Sequence, residues 1–307
     1  MSSPIEESIV DLSNRDKPLP SSRLADLSNL NLKELRFLEQ VWGAIELKRR
    51  RQIIYRLVEL AEDNLELNFD GIFRSCLKDQ DAEVRSKAIE GLWESEDASL
   101  INPLTNLLEQ DSSEKVQVTA ATALGKFAML TELKKLRPCY ISKVCQSLLA
   151  VTSEKNKPLE VRRRALEAVA PLSLPQVEKA IMAAHQSHNS KLRTSAIYAM
   201  GKNCNHSWLP ILLKELTNAD AQIRYEAAGA CGEIGEPETA PYLIGLVNDP
   251  DTDVQLAAIQ ALGKIGGTEA KECLECCLNN PSEVIHQAAE QALQELEADE
   301  DLLTFKI

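Results

Sequence analysis

Three cysteines near the C-terminus are the side chains whose type and spacing come nearest to a metal site. Cys273, Cys276 and Cys277 could present two or three thiolates from one helix, with His286 as the nearby imidazole. A structural zinc site ordinarily takes four ligands from separated elements, which this arrangement does not supply. Aligned with the preceding segment, Cys273 and Cys277 fall on core positions, so we interpret them as buried apolar thiols. No metal or other cofactor is expected.

The remaining residues that could catalyse a reaction lack a recognised arrangement. None of the 4 histidines is followed by glutamate. The patterns GxxxxGK[ST], GxGxxG, GxSxG and HExxH, which build a phosphate cradle, a nucleophile elbow or a zinc helix, do not occur. The sequence therefore predicts no catalytic residue, and we expect a protein that is not an enzyme.

Two basic runs, Lys48 to Arg51 and Arg162 to Arg164, raise the possibility of phosphate or nucleic-acid binding. They lack interleaved aromatic residues, so a solvated helix face is the favoured interpretation. The net charge is −13, and the segment from 218 to 307 holds 4 basic and 18 acidic side chains. Such a segment repels phosphate backbones and anionic membranes. It favours a protein partner with a basic surface.

Seven segments share one apolar pattern, which indicates the elements that carry all these residues. Anchoring each segment on its first apolar residue gives Val84, Val116, Val161, Leu192, Ile223, Val254 and Ile285. The fourth residue after every anchor is alanine, and small or apolar residues follow at offsets 7 and 8. Offsets 0, 4, 7 and 8 lie on one face of a helix. An amphipathic run precedes each segment, so every copy is predicted to be helix, turn, helix.

A single unit of this size cannot bury its apolar stripes, so neighbouring units must stack. The alanine-rich pattern resembles the HEAT-repeat family over about residues 69–297, in the short form shared with phycobilin-lyase-like repeat proteins. The resemblance implies an all-α fold, a right-handed α-solenoid, with the second helix of each pair on the concave side. It also implies that the arginine after the anchor bonds to an acidic group of the adjacent repeat. That position is occupied by Arg85, Arg162, Arg193 and Arg224.

The chain divides into four predicted regions. Residues 1–22 contain proline and serine with little apolar periodicity, which predicts a mobile arm. Residues 23–68 show two helical patterns without the alanine and are predicted to cap the stack. The solenoid of seven helix pairs occupies 69–298, with an insertion near 129–140 that we expect to emerge from one face. Residues 299–307 are predicted to form an acidic tail.

The residues opposite the apolar stripe of the second helices form the predicted concave face. At about 100° per residue these are offsets 2, 6 and 9, which here include several large side chains. We predict a groove for a protein or peptide, with glycine at offset 9 leaving room between the contact residues. The alternative for any one ring is packing between repeats. The candidate contact residues are Trp93, Arg163, Tyr198, Tyr225 and Leu256.

The resulting expectation is a cytoplasmic, non-catalytic scaffold that binds a protein partner. No stretch approaches the length needed to cross a bilayer, and without a signal peptide the cysteines are expected to stay reduced. Two alternatives stay open: a phycobilin-lyase-like or other HEAT-repeat enzyme without a recognisable site, and a solenoid that binds nucleic acid through the central basic region. Deoxyhypusine hydroxylase is also built from HEAT repeats, but the repeated His-Glu pairs of that family's di-iron site are absent here.

Overall fold

Alanine-rich sequence with period 3.6 and few glycines folds here into helices alone. The computed structural model describes residues 4–12, 14 and 18–304, and within them every regular element is helical. The chain divides into two compact units between residues 147 and 148. The helices of the N-terminal unit are α1 (Pro4–Leu12), α2 (Ser21–Ala25), α3 (Leu32–Trp42), α4 (Leu47–Asp63), α5 (Asp70–Cys76), α6 (Ala82–Gly91), α7 (Ile101–Gln110) and α8 (Glu114–Glu132).

The C-terminal unit is also built of successive helices. The unit boundary falls within α9 (Pro138–Ser153). The helices that follow are α10 (Leu159–Val169), α11 (Pro175–His185), α12 (Ser190–Asn203), α13 (Leu209–Glu215), α14 (Ala221–Ile234), α15 (Ala240–Leu246), α16 (Thr252–Ile265), α17 (Thr268–Cys277) and α18 (Glu283–Thr304).

Seven helix pairs, from α5 with α6 to α17 with α18, carry the predicted repeat. Each anchor residue lies in the second helix of its pair, and all seven anchors and all seven alanines are buried. The alanine has no side chain beyond Cβ, so neighbouring helices pack closely at that position. The predicted all-α, solenoid type of fold is confirmed in each unit.

Polar side chains and glycine set the ends of the second helices. The side chains of Asp81, Asn189, Asp220 and Asp251 accept hydrogen bonds from backbone N–H groups in the first turns of α6, α12, α14 and α16. These bonds satisfy amide donors that have no partner within the helix. At the other end, α14 stops at Gly235, whose φ of 75° belongs to the left-handed region that glycine enters without strain.

Successive second helices of the C-terminal unit touch through glycine and alanine. Offset 9 of one helix faces offset 7 of the next, and a Cβ on the glycine would lie less than 3 Å from the alanine. The pairs are Gly201 with Ala230, Gly232 with Ala261 and Gly263 with Ala292. The expectation that these glycines leave room on the concave face is therefore wrong, because they lie in the contact between helices.

The N-terminal region differs from the predicted mobile arm. Residues 4–12 form α1, which packs against α3 and buries Ile9 and Leu12. Arg49 of α4 donates from Nε to the carbonyl of Leu12 at 3.0 Å. The prediction of a mobile arm is wrong for residues 4–12, because the side chains of Ile9 and Leu12, three positions apart, are buried against neighbouring helices. Residues 1–3, 13 and 15–17 of the predicted arm lie outside the described residues.

Two further segments also differ from expectation. The extra residues near 129–140 lengthen α8 to 19 residues and α9 to 16, and a short turn joins the two helices. They do not form a loop that protrudes from one face. The predicted acidic tail continues α18 as far as Thr304, and residues 305–307 of it lie outside the described residues.

Candidate functional site

Two of the five predicted contact residues lie together. Tyr198 of α12 and Tyr225 of α14 line one hollow on the second helices of the C-terminal unit, and their side chains are 39% and 40% exposed. Leu256 of α16 is half-buried and does not line this hollow. Arg163 belongs to a neighbouring contact, and Trp93 belongs to the other unit. This hollow is therefore the place on the predicted face where two predicted contact residues line one cavity.

The hollow lies across three consecutive second helices, α12, α14 and α16, so we call it the α14 hollow. Its volume is about 180 Å³. Besides the two tyrosines, its lining includes Glu226 and Gly229 of α14 and Gln260 of α16. Gly229 stands at offset 6, where α12 carries Tyr198 and α16 carries Gln260. The hollow exists because the middle helix has no side chain at that position.

One end of the α14 hollow is occupied by three linked charges at offset 10. Glu233 accepts from Lys202 Nζ at 2.9 Å and from Lys264 Nζ at 2.5 Å, which ties α12, α14 and α16 together. Burial alone would raise the pKa of Glu233, but the hydrogen bonds from Lys264 and Lys202 outweigh it, and the pKa is lowered. Both lysines are therefore already engaged by one carboxylate.

The other end of the α14 hollow has the opposite character. Among the described residues Glu226 has one hydrogen bond, from Gln222 Nε2 at 3.3 Å. Burial, with a smaller contribution from the charge of Glu167, raises the pKa of Glu226 above its usual range. Burial also raises the pKa of Tyr198. The charge of Arg163 acts on Glu226 in the opposite direction but does not outweigh burial. Among the described residues, this end therefore presents a half-buried carboxylate that forms no direct ion pair.

Arg163 is engaged between α10 and α12. Its guanidinium donates to Glu160 at 2.7 Å and to Ser195 Oγ at 2.9 Å, and Ser195 donates to Glu167 at 2.6 Å. The side chain is only 18% exposed. These bonds give Arg163 a role in joining two repeats, and its predicted role in binding a partner stays a prediction.

Trp93 follows the end of α6 in the N-terminal unit and is 54% exposed. Lys126 Nζ lies 5.9 Å from the centre of its ring and donates to the backbone carbonyls of Trp93 and Ser95. Burial lowers the pKa of Lys126. The ring is thus held from one side and open on the other, rather than enclosed between repeats.

The arginine after the anchor has the implied structural role in three of four repeats. Arg85 and Arg224 each form two hydrogen bonds of 2.7 to 2.8 Å with a buried aspartate of the next repeat, Asp111 and Asp249. Arg193 lies 3.9 Å from Glu215 of the next repeat. The prediction is wrong for Arg162, which donates to the carbonyl of Thr152 in its own repeat.

Arg50 of α4 makes the same bond one repeat earlier, which the sequence pattern did not indicate. It donates to Asp79 at 2.7 Å, and Trp42 Nε1 donates to the same oxygen at 2.6 Å. Helix α4 lacks the alanine of the repeat pattern, so the pattern did not identify α4 as part of a repeat. The aspartate five residues before the Val84 anchor, matched by Asp111 and Asp249, is the signal that could have found it.

Both basic runs are engaged within the protein. Arg49 bonds to a carbonyl, Arg50 to Asp79, and Arg51 to Asp81 through two bonds of 2.9 and 2.7 Å. Arg162 bonds to a carbonyl, Arg163 to Glu160, and Arg164 to Glu160 and Glu167. The arginines of these runs therefore stabilise contacts within and between repeats.

The cysteines near the C-terminus are less buried than predicted. Cys273 and Cys277 are half-buried and Cys276 is exposed, because α17 is a first helix with one side toward solvent. Burial raises the pKa of Cys273 to about 11. In the part of the chain that the structure describes, no three His, Cys, Asp or Glu side chains are placed to hold a metal ion.

Sequence and structure comparisons give this architecture a family. The family model for HEAT repeats matches residues 72–144 and 209–294, just over half of the chain. No curated protein has a significantly similar sequence. No helix in the described part of the chain is long and apolar enough to cross a membrane.

Among solved structures, yeast importin-β (Kap95p) is 13% identical, with 95% of this chain and 46% of that chain covered and a TM-score of 0.58. The structure of the Kap95:Nup1 complex is 14% identical, with 95% of this chain and 46% of that chain covered and a TM-score of 0.58. Human deoxyhypusine hydroxylase in complex with glycerol is 16% identical, with 96% and 97% covered and a TM-score of 0.37. At these identities the likeness to importin-β concerns the fold alone.

Proposed function

Because the chain belongs to the HEAT-repeat family, we propose that it is a non-catalytic scaffold that binds a protein partner through the α14 hollow and the helices around it. The observation that carries the proposal is the pair of tyrosines, Tyr198 and Tyr225, half-exposed beside one hollow. Aromatic residues are enriched at the energetic centres of protein interfaces, where they fill or flank pockets. Kap95, which shares the fold, forms a complex with Nup1.

The ionisable groups of the C-terminal unit support binding rather than catalysis. A nucleophilic thiol needs a lowered pKa. Burial instead raises the pKa of Cys231 to about 12, and it also raises that of Cys204. Lys202 and Lys264 share Glu233 in an ion-pair network rather than standing free as a base. The eight cysteines are free thiols, which fits a reducing compartment such as the cytoplasm.

The charge of the C-terminal segment supports a partner with a basic surface. The 18 acidic and 4 basic side chains between 218 and 307 favour positively charged proteins and disfavour nucleic acid. A nucleic-acid scaffold would need free basic side chains along its surface. The arginines of the two basic runs are instead bonded within the protein.

The test is affinity capture with the full chain followed by mass spectrometry. The double variant Tyr198→Ala, Tyr225→Ala is compared with the wild type and with Tyr242→Ala. Tyr242 of α15 is 53% exposed and does not line the hollow, so it controls for the loss of a surface ring. We expect the double variant to lose a partner that the wild type and the control retain. A partner retained by all three proteins would contradict the proposal, provided that circular dichroism shows equal folding.

A further inference from the structure

Gly229 is the feature of the α14 hollow that the fold does not explain. It lies in the interior of α14, where glycine is less stable than alanine because it loses more conformational freedom on folding. A Cβ at this position would meet no atom within 4 Å. The other two glycines within α14 and its neighbour α16, Gly232 and Gly263, have a packing reason, since a Cβ there would lie within 3 Å of an adjacent helix. No contact within the described part of the chain requires glycine at position 229.

Glu226, one turn before Gly229, is a second group that is unfavourable for folding alone. Its carboxylate is half-buried and has the single 3.3 Å bond from Gln222 among the described residues. The charges of Glu167 and Arg163 act on it in opposite directions, and burial keeps its pKa raised. Residues that reduce stability without a compensating contact are typical of functional sites. The open floor at Gly229 and the Glu226 carboxylate, which forms no direct ion pair among the described residues, line the same hollow.

We propose that the α14 hollow receives an arginine side chain of the protein partner, with the guanidinium on the Glu226 carboxylate and the aliphatic stem over Gly229. This inference rests on the proposed function and names the chemistry of the partner. A planar guanidinium matches a carboxylate with two parallel hydrogen bonds and also stacks on aromatic rings. Tyr198 and Tyr225 supply such rings at the border of the hollow. The pair would leave Glu226 neutralised and the open space filled.

The surroundings favour a positive rather than a negative occupant. The two lysines at the opposite end, Lys202 and Lys264, are both bonded to Glu233 and are not free to hold a carboxylate. A second depression, of about 390 Å³, shares Tyr225 with the hollow and is also lined by Asp251 and Asp253. Both depressions that Tyr225 lines therefore contain acidic side chains, as expected for a partner segment that carries more than one basic residue.

The first experiment uses the full chain labelled with ¹⁵N-glycine and follows the Gly229 amide by NMR. The probes are N-acetyl-L-arginine amide and N-acetyl-L-citrulline amide, which have the same shape and differ in charge. We expect the arginine probe to shift the Gly229 resonance saturably and the citrulline probe to leave it in place. Glu226→Gln should weaken binding of the arginine probe about tenfold or more, because a charge-assisted pair is lost. Equal shifts from both probes, no shift from either, or undiminished binding by Glu226→Gln would each overturn the inference.

The second experiment fills the hollow. Gly229→Gln places a side chain where a Cβ meets nothing, so the variant is expected to fold and to lose binding of the arginine probe. Gly245→Gln is the matched control, since Gly245 of α15 also has open space around its Cβ position but lies outside the hollow. Arginine binding that survives in Gly229→Gln, or that is lost equally in Gly245→Gln, would contradict the assignment of the site.

The two proposals fail in distinguishable ways. If the Tyr198→Ala, Tyr225→Ala variant loses its partner while the arginine probe does not bind the wild type, the proposed function stands and the arginine assignment falls. If the double variant keeps every partner, the proposed function itself falls.

Discussion

Gly232→Ala is the substitution whose effect follows most directly from the contact between repeats. The new Cβ of α14 would lie 2.8 Å from both Cα and Cβ of Ala261 in α16. One of these atoms is part of the backbone of α16 and the other is bonded directly to it, so neither can move aside as a flexible side chain could. The two helices would have to separate, and the contacts between two repeats would loosen.

The expected magnitude is the balance of two terms. Alanine is favoured over glycine in a helix interior by about 1 kcal/mol. Overpacking of a close contact costs about 1–3 kcal/mol, and a clash with backbone belongs to the upper part of that range. The net expectation is a loss of about 1–2 kcal/mol in the free energy of unfolding.

Gly229→Ala is the matched control because it makes the same chemical change three residues earlier in the same helix. With nothing within 4 Å of the new Cβ, only the propensity term remains. We expect this variant to be more stable than the wild type by about 1 kcal/mol. The two alanine variants should therefore differ by about 2–3 kcal/mol, although they have identical composition.

The assay is urea unfolding followed by circular dichroism, with the midpoints compared at equal slope. Gly232→Ala should unfold at a lower urea concentration than the wild type and Gly229→Ala at a higher one. Equal midpoints for the two variants would refute the close approach of α14 and α16. A loss of stability in Gly229→Ala would refute the open floor of the hollow.

Three further outcomes are expected. Arg224→Met should destabilise the protein by about 3 kcal/mol, because it leaves the buried Asp249 unpaired. The bond from Arg224 lowers the folded-state pKa of Asp249, so the ion pair stabilises the protein above the unfolded-state pKa of Asp249 and stops doing so as pH falls through its folded-state pKa. The urea midpoints of the wild type and Arg224→Met should therefore converge in acid. Glu226→Gln should raise the melting temperature at pH 7 but not near pH 4. Burial raises the folded-state pKa of Glu226, so the wild type loses stability as pH rises through that pKa. An equal gain at both pH values would contradict this. Asn203→Ala should cost about 1–3 kcal/mol in urea unfolding, because the buried carbonyls of Ala170 and Leu172 lose their donor and the indole N–H of Trp208 loses its acceptor, and an unchanged midpoint would disprove it.

The repeat was predictable because its signal is local. An apolar anchor, an alanine four residues later and apolar residues at offsets 7 and 8 define one helix face whatever surrounds the helix. The same holds for the caps, since Asp81 and Asp220 bond to amides only two or three residues away. The seven helix pairs and the ends of several helices could therefore be read from spacing alone.

The roles of the arginines were only partly predictable. The sequence shows which positions carry positive charge, and the repeat register points to the bonds of Arg85 and Arg224. It does not show that Arg51 reaches Asp81, 30 residues away, or that Arg49 reaches Leu12. Such partners depend on which helices pack together, so a basic run looks like a binding surface until its neighbours are known.

The predicted concave face shows where the sequence stops being informative. Offsets 2, 6 and 9 are equivalent on an isolated helix, and Gly229 and Gly232 look alike in the sequence. Packing against the next helix separates them, because Gly232 lies against Ala261 and Gly229 faces open space. The sequence by itself determined the repeat, the fold class and the absence of known catalytic motifs. The tertiary structure alone decided which side chains stay unpaired, because that depends on contacts between helices about 30 residues apart in sequence.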